Sequence, residues 1–456
     1  MKRWKSFALL CVFALTPALF ACGGRGKEEM PDYEADREVK QIHFAGLTEP
    51  PPANYYKYDG SDLPNSPSNI TLERYQEMKE CGIDIIIAHA EQRLDSENVM
   101  QSLEFAKQTG VKYITQYQSA VNMGNSTPER FEQAIGKVLS HEACYGIVVK
   151  DEPSANQFSA LGKAFRVFDQ VEAFKDKCFY INLLPTYGVS DMSYTEYIEQ
   201  YCQKVGNRFI SADHYPYDDD GLISKINQTW LLNLETVQNA AVKYGKEHWQ
   251  FLQGSKAWPA YSKIPDYYDL SQQIYISMCY GATVLQYYCY FTPAEFGPDP
   301  ELRCLIGYDG QRTDIYEAAK KINNEVLDFD HVFMNFVGGW KGVMPVVGSL
   351  NKRGKNSSFN MLQTPLKQHE RIRSVTSEQD LVLGAFEDEN GYDGFLAVNY
   401  SVPSEREKSK VCLSFADATK AVCYVKGKPV TKDLAGGKLE LELDAGEGVF
   451  VIPVNF

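Results

Sequence analysis

Short apolar runs alternate with segments of helical period from about residue 40 to residue 330, and this alternation organises the whole chain. Eight units can be counted. The apolar runs predict strands over Gln41–Leu47, Ile83–Ala90, Lys112–Tyr117, Tyr145–Lys150, Cys178–Leu184, Arg208–Asp213, Trp249–Gly254 and Thr283–Phe291. Between them lie amphipathic stretches such as ITLERYQEMKECG and TPERFEQAIGKVLSH, several opening on Ser, Thr or Asn and closing on Gly, as capping favours. Strands that alternate with helices imply a parallel sheet. Eight units over roughly 290 residues suit a closed α/β barrel, the (β/α)8 TIM barrel, better than an open doubly wound sheet. No G-x-G-x-x-G follows the first strand, so the phosphate fingerprint of the open sheet is missing.

Beyond a last helix starting at Asp314, the period changes to two. LVLGAFED, GFLAVNYS, KVCLSF, AVCYVKG, KLELEL and GVFVIPV read as strands of a C-terminal antiparallel β-sandwich domain, with Glu389-Asn390-Gly391 as a turn. Its expected role is to pack on the barrel, since no catalytic cluster is evident in it. The predicted layout is a leader at 1–21, a flexible stretch at 22–38, the barrel at 39–335 and the sandwich at 340–456.

The leader is apolar from Phe7 to Phe20 behind Lys2, Arg3 and Lys5, too short for a membrane span and shaped like a signal peptide. Leu19-Phe20-Ala21-Cys22 resembles the bacterial lipobox, which implies lipidation of Cys22 and a lipid anchor in the membrane. Lys27-Glu28-Glu29 is similar to the export tag of Bacteroidetes surface lipoproteins. Together these imply a lipid-anchored outer-membrane protein, facing the cell surface or else the periplasm.

The formal charge of −14 becomes −17 once the three basic residues of the leader are gone, so no nucleic acid is expected as a partner. A neutral oligosaccharide or polysaccharide suits that field better than a polyanion. Removing Cys11 and lipidating Cys22 leaves nine cysteines, an odd number without a C-x-x-C pair, which predicts few or no disulfides and no zinc site. No cofactor and no metal are expected. His89 and His214 are isolated histidines, and Asp218-Asp219-Asp220-Gly221 lacks the remaining ligands of a calcium loop and reads as a solvated acidic loop.

Active sites of such barrels form at the carboxyl ends of the strands. The polar residues found there are Glu49, His89, Gln116, Asp151, Glu152, Asn182, Asp213, Tyr215, Gln253, Trp258, Gln286 and Tyr288. Carboxylates, amides and aromatic faces together are what a sugar requires: rings to stack on, donors and acceptors for hydroxyls, and a carboxyl to protonate the leaving oxygen.

Gly146-Ile-Val-Val-Lys-Asp151-Glu152-Pro153 resembles the strand-four end of the clan A barrel glycoside hydrolases, and Ser211-Ala-Asp213-His-Tyr215-Pro216 is similar to strand six of β-galactosidase-like members. The resemblance implies that Glu152 is the general acid/base. It also implies a nucleophilic glutamate at the end of strand seven, where this chain has Gln253-Gly-Ser-Lys instead. The adjacent Asp151-Glu152 pair is similar to that of hexosaminidases in which the substrate's acetamido group attacks and the aspartate orients it. Both side chains can face one site only if the strand end twists or bulges. A third arrangement takes Asp213 or Glu49 as the partner of Glu152. A barrel that binds glycans without hydrolysing them is the rival reading. An esterase finds no G-x-S-x-G elbow and no histidine partner for Ser255.

Overall fold

The computed structural model describes residues 30–57, 65–89, 96–219, 224–256, 263–352 and 354–455. Cys22 and Trp258 lie outside the described residues. Strands β1 (His43–Leu47), β2 (Ile83–Ile87), β3 (Lys112–Gln116), β4 (Cys144–Asp151), β5 (Cys178–Leu183) and β6 (Phe209–Ala212) are followed by a hairpin, β7 (Tyr217–Asp219) and β8 (Ser224–Ile226). Strands β9 (Glu247–Gln253) and β10 (Ala282–Tyr288) then complete a closed parallel barrel in the order β1-β10-β9-β6-β5-β4-β3-β2. This is the (β/α)8 barrel that the alternation predicts.

Period-two alternation divides each barrel strand between two cores. Ala45, Ile85, Ile87, Ile114, Val148, Tyr180, Phe209, Trp249, Phe251 and Val284 fill the interior. Their neighbours, such as Phe44, Ile86, Ile147, Ile181, Ile210, Leu252 and Leu285, pack outward against the helices. The interior is a solid core, with the Phe209 and Trp249 rings stacked at 4.0 Å, a contact contributing about 0.5–1.5 kcal/mol beyond the area it buries. Capping follows the sequence: Ser96, Thr127 and Ser193 accept from backbone N–H groups at helix starts, and Gly110 and Gly245 close helices in the left-handed region.

Of the acidic stretch after β6, Asp220 and Gly221 lie outside the described residues, and Asp218 is exposed. Asp218 and Asp219 lie in β7, where Asp218 faces Lys225 of β8 across the ladder, an opposite-charge pair that favours the hairpin. Among the described residues no group of His, Cys, Asp and Glu could hold a metal. All nine cysteines described are unpaired, and no described helix is long and apolar enough to cross a membrane.

The C-terminal domain comprises β11 (Trp340–Val346), β12 (Ile372–Ser377), β13 (Leu381–Glu387), β14 (Asp393–Asn399), β15 (Ser409–Phe415), β16 (Lys420–Val425), β17 (Lys428–Asp433), β18 (Lys438–Leu443) and β19 (Gly448–Val454). These form a six-stranded antiparallel sheet, β11-β13-β14-β19-β16-β17, facing a three-stranded one, β12-β15-β18. Leu383, Phe395, Val411, Leu413, Leu441 and Val451 interdigitate between them.

The two domains meet through the helix Tyr267–Cys279, buried on every side from Asp269 to Cys279. A helix apolar or satisfied all round belongs inside a protein. Its Gln272 donates through Nε2 to the carbonyls of Asn399 (3.1 Å) and Ser401 (2.8 Å) and accepts from the Tyr217 hydroxyl at 3.1 Å. Trp340 donates from its indole to the Cys279 carbonyl at 2.9 Å. Replacing Gln272 by Leu removes the donor to two buried carbonyls, each a loss of about 1–3 kcal/mol where no water enters, while the Tyr217 hydroxyl keeps the Asp269 carbonyl at 3.0 Å. The expected outcome for Gln272→Leu is a thermal midpoint lower by about 5 °C or more, read by circular dichroism. An unchanged midpoint would show that this amide does not hold the domains together.

Candidate active site

The end of β4 breaks the alternation of its own strand. The register against β5 shifts between Val148 and Lys150, so Val148 pairs with Tyr180 while Asp151 pairs with Asn182. Tyr180 points into the barrel, and Asn182, two residues on, does so too. This bulge carries Asp151 to the inner face, where strict alternation would have turned it out. Glu152 then adopts a left-handed backbone, φ 45°, a conformation that costs a non-glycine residue about 1–2 kcal/mol. A hydrogen bond from its amide to the Asn182 carbonyl, 2.9 Å, holds it there. Bulge and left-handed turn together aim two consecutive carboxylates at one mouth.

Asp213 follows β6 on the inward parity set by Phe209 and Ser211. Its carboxyl lies close enough to that of Glu152 for the two to interact. Asp213 is 7% exposed, whereas Asp151 and Glu152 are open to solvent at the mouth and walled by protein on their other sides. Burial pushes the Asp213 carboxyl well above the usual range, reinforced by repulsion from Glu152 and then Asp151. Burial also raises Glu152, as does Asp151, while the hydrogen bond from Asp213 opposes the rise. Asp151 is raised by burial, against the pull of Asn182, His89 and Lys150. Two carboxyls in contact share one proton, and the deeper Asp213 is its better holder.

Beneath them runs a directional chain of hydrogen bonds. Tyr180 donates to Gln286 Oε1 (2.7 Å), Gln286 Nε2 to Ser211 Oγ (2.9 Å), Ser211 Oγ to Asn182 Oδ1 (3.0 Å) and Asn182 Nδ2 to Asp151 Oδ1 (3.3 Å). Each link fixes the next amide's orientation, so Asn182 presents its NH2 and not its carbonyl to Asp151.

The remaining strand-end residues divide into those that face the mouth and those that brace it. Tyr215 and Tyr288, half-buried, lie 5.3 Å apart over the interior core and offer ring faces to a sugar. His89 is half-buried near Asp151. Gln116, also half-buried, donates to the Ala88 carbonyl at 3.2 Å.

Three of the residues expected to bind substrate are engaged within the protein. Gln286 is fully buried within the chain just described. Gln253 is fully buried, accepting from the Tyr217 amide (3.0 Å) and donating to the Lys263 carbonyl (3.0 Å). Glu49 is fully buried and accepts the His89 amide at 2.7 Å, tying β1 to β2. Gln253 and Glu49 satisfy backbone groups that would otherwise be stranded, and Gln286 satisfies the Tyr180 and Ser211 hydroxyls.

Sequence reasoning overlooked Tyr187, in the turn after β5. Its phenol oxygen accepts the Tyr215 amide, and its ring meets His214 edge-on at 5.0 Å. Burial pushes His214 down to about 3, so it stays neutral, with Nε2 bonded to Thr229 Oγ1 at 3.0 Å. Only the Pro185-Thr-Tyr187-Gly188 turn signal could have marked this residue.

No family model matches the chain, and no curated protein matches it. Among solved structures it is similar to a catalytic mutant of a GH42 β-galactosidase from G. stearothermophilus, with TM-score 0.53 and 9% identity over 91% of this chain and 98% of that one. Another structure of that galactosidase gives TM-score 0.51 at 8% identity, covering 92% and 99%. The likeness is one of fold.

Asp213 yields a prediction about stability. A carboxyl raised on folding keeps a proton that the unfolded chain loses near pH 4. Its stabilising share is therefore complete below that pH and is lost as pH climbs toward the folded-state value. Asp213→Asn cannot ionise, so the variant should melt about 2–4 °C above the wild type at pH 8, the gap closing toward pH 4. A wild type that melts higher at pH 8 would contradict the shared proton.

Proposed function

We propose that the protein is a glycoside hydrolase acting on a neutral or N-acetylated glycan, with Glu152 and Asp213 as its catalytic pair. The observation that carries this reading is the approach of the two carboxyls at the barrel mouth, near the paired rings of Tyr215 and Tyr288. Acetal hydrolysis needs a proton for the leaving oxygen and a negative charge or nucleophile at the anomeric carbon. A dyad holding one proton supplies both.

The reading departs from the family expectation in its roles. Asp213 is the donor, because burial and two neighbouring charges keep it protonated, and Glu152 is the carboxylate. Asp213 protonates the glycosidic oxygen as its bond to the anomeric carbon breaks, and Glu152 closes on that carbon to form an ester. Asp213, now charged, takes a proton from water, whose oxygen displaces Glu152 and restores the pair. Such carboxyls stand ~5 Å apart in retaining enzymes, a spacing that substrate entry has to set here. Glu152, with its longer side chain open to solvent, is the one to move. No strand-seven carboxylate is required.

A second reading is favoured by the inward turn of Asp151 beside Glu152. There Glu152 donates the proton and Asp151 holds the substrate's acetamide N–H for internal attack. The lipobox-like Cys22 and the acidic residues after it support display on the outer membrane.

Leaving-group dependence separates the roles. Asp213→Asn is expected to lose 10³-fold or more in kcat/KM on an unactivated glycoside but under tenfold on a dinitrophenyl glycoside, which departs without a proton. Glu152→Gln should lose both activities. Equal losses on both substrates for Asp213→Asn would remove it as the acid, and turnover confined to 2-acetamido sugars would establish the second reading. No turnover of any glycoside would leave a glycan-binding barrel.

A further inference from the structure

A cleft of about 1040 Å³ opens beside the barrel mouth, between the segment that follows β6 and the C-terminal domain. We propose that it binds additional rings of a neutral oligosaccharide whose terminal or internal sugar sits at the carboxyl pair, so that the β-sandwich domain completes the substrate site. The proposal rests on the hydrolase reading above and adds to it the class of substrate, a chain and not a single sugar.

Tyr187 joins the two spaces. It lines the cleft, lies close enough to Asp213 and Glu152 to sense their charges, and leaves 51% of its surface exposed. An exposed aromatic fixed from behind, here by the Tyr215 amide and the His214 ring, is a ready stacking face for a pyranose. The turn that carries it is pinned as well. Thr186 donates from its amide to Asn233 Oδ1 at 3.0 Å and from its hydroxyl to Thr229 at 3.2 Å.

The opposite wall comes from the C-terminal domain and is built rather than incidental. Asp380 accepts from the Gly348 amide at 2.8 Å, from Asn351 at 3.1 Å and from Asn356 at 2.6 Å. This network ties residues 348, 351 and 356 to Asp380 ahead of the short helix Ser357–Met361, which Asn356 caps. From these walls the side-chain amides of Gln228, Asn360 and Gln379 face the cleft without a hydrogen-bond partner among the described residues. Amides held on ordered walls suit hydroxyls, since little ordering remains to be done on binding. Asp218, Asp380 and Glu405 on the lining stand against Lys225 and Lys355, a small acidic excess that disfavours a polyanion and leaves neutral sugars unopposed. At about 1040 Å³ it lies at the upper end of the roughly 300–1,000 Å³ typical of small-molecule pockets, room for more than one ring.

Gln228→Trp and Asn360→Trp would fill the cleft from its two walls without touching the carboxyl pair. The test compares kcat/KM of the full chain and both variants on an aryl monosaccharide and on a five-residue oligosaccharide of the same sugar. The expected result is a change under twofold on the aryl monosaccharide and a loss of tenfold or more on the oligosaccharide, through KM, in both variants, with unchanged melting temperatures. Equal behaviour on both substrates in both variants would overturn the proposal. If wild type hydrolyses nothing, the hydrolase reading fails alone provided calorimetry with neutral oligosaccharides of one to six residues shows length-dependent binding that the variants lose. Absence of such binding would overturn the cleft as well.

Discussion

Two carboxyl groups cannot both carry charge at hydrogen-bond distance in a half-buried site, and most of what is distinctive at this barrel mouth follows from that constraint. Between Glu152 and Asp213, burial favours the proton on Asp213. Asp151 adds a second negative charge beside a pair that holds one proton, which makes that proton harder to lose. Holding such a cluster together requires structure that gives something up locally. The left-handed turn at Glu152 and the bulge before Asp151 are both unfavourable for an isolated strand, and both are over-determined here by β5, through the Asn182 carbonyl and the Asn182 side chain. The chain from Tyr180 to Asn182 then fixes which way that amide points.

Much of this was legible in the sequence because barrel strands obey a period of two. Counting inward from Phe209 and Ser211 reaches Asp213, and counting from Tyr180 reaches Asn182, without any knowledge of contacts. The count fails at β4, where a bulge inserts one residue, and nothing in Ile147-Val-Val-Lys150 announces it. Glu49, Gln253 and Gln286 show a different limit. Composition places a polar residue at a strand end, but whether it turns to substrate or to the protein's own backbone depends on partners distant in sequence, such as Tyr217 and Lys263 for Gln253. Tyr187 escaped notice because loops follow no period.

The eight barrel strands were legible within a few residues, since each is a continuous apolar run bounded by turn residues. The β7–β8 hairpin was not, because its acidic composition masks a pairing that is set by Lys225 across the ladder. The C-terminal domain announced itself through alternation in β13 to β19, but its relation to the barrel rests on the helix Tyr267–Cys279, whose all-round burial becomes clear only once both domains are in place. That helix leaves the domains sharing one interior and one open cleft. The cleft lies beside the mouth, with Tyr187 common to both.

The shared proton is the center of this account, and isotope-edited infrared spectroscopy observes it directly. With aspartate carboxyls labelled by ¹³C, the wild type at pH 7 is predicted to show the carbonyl band of a protonated aspartic acid, absent from Asp213→Asn and shifted in Glu152→Gln. A wild-type spectrum showing only ionised aspartates at pH 7 would mean that the pair holds no proton on Asp213, and the roles assigned to both carboxyls would fall.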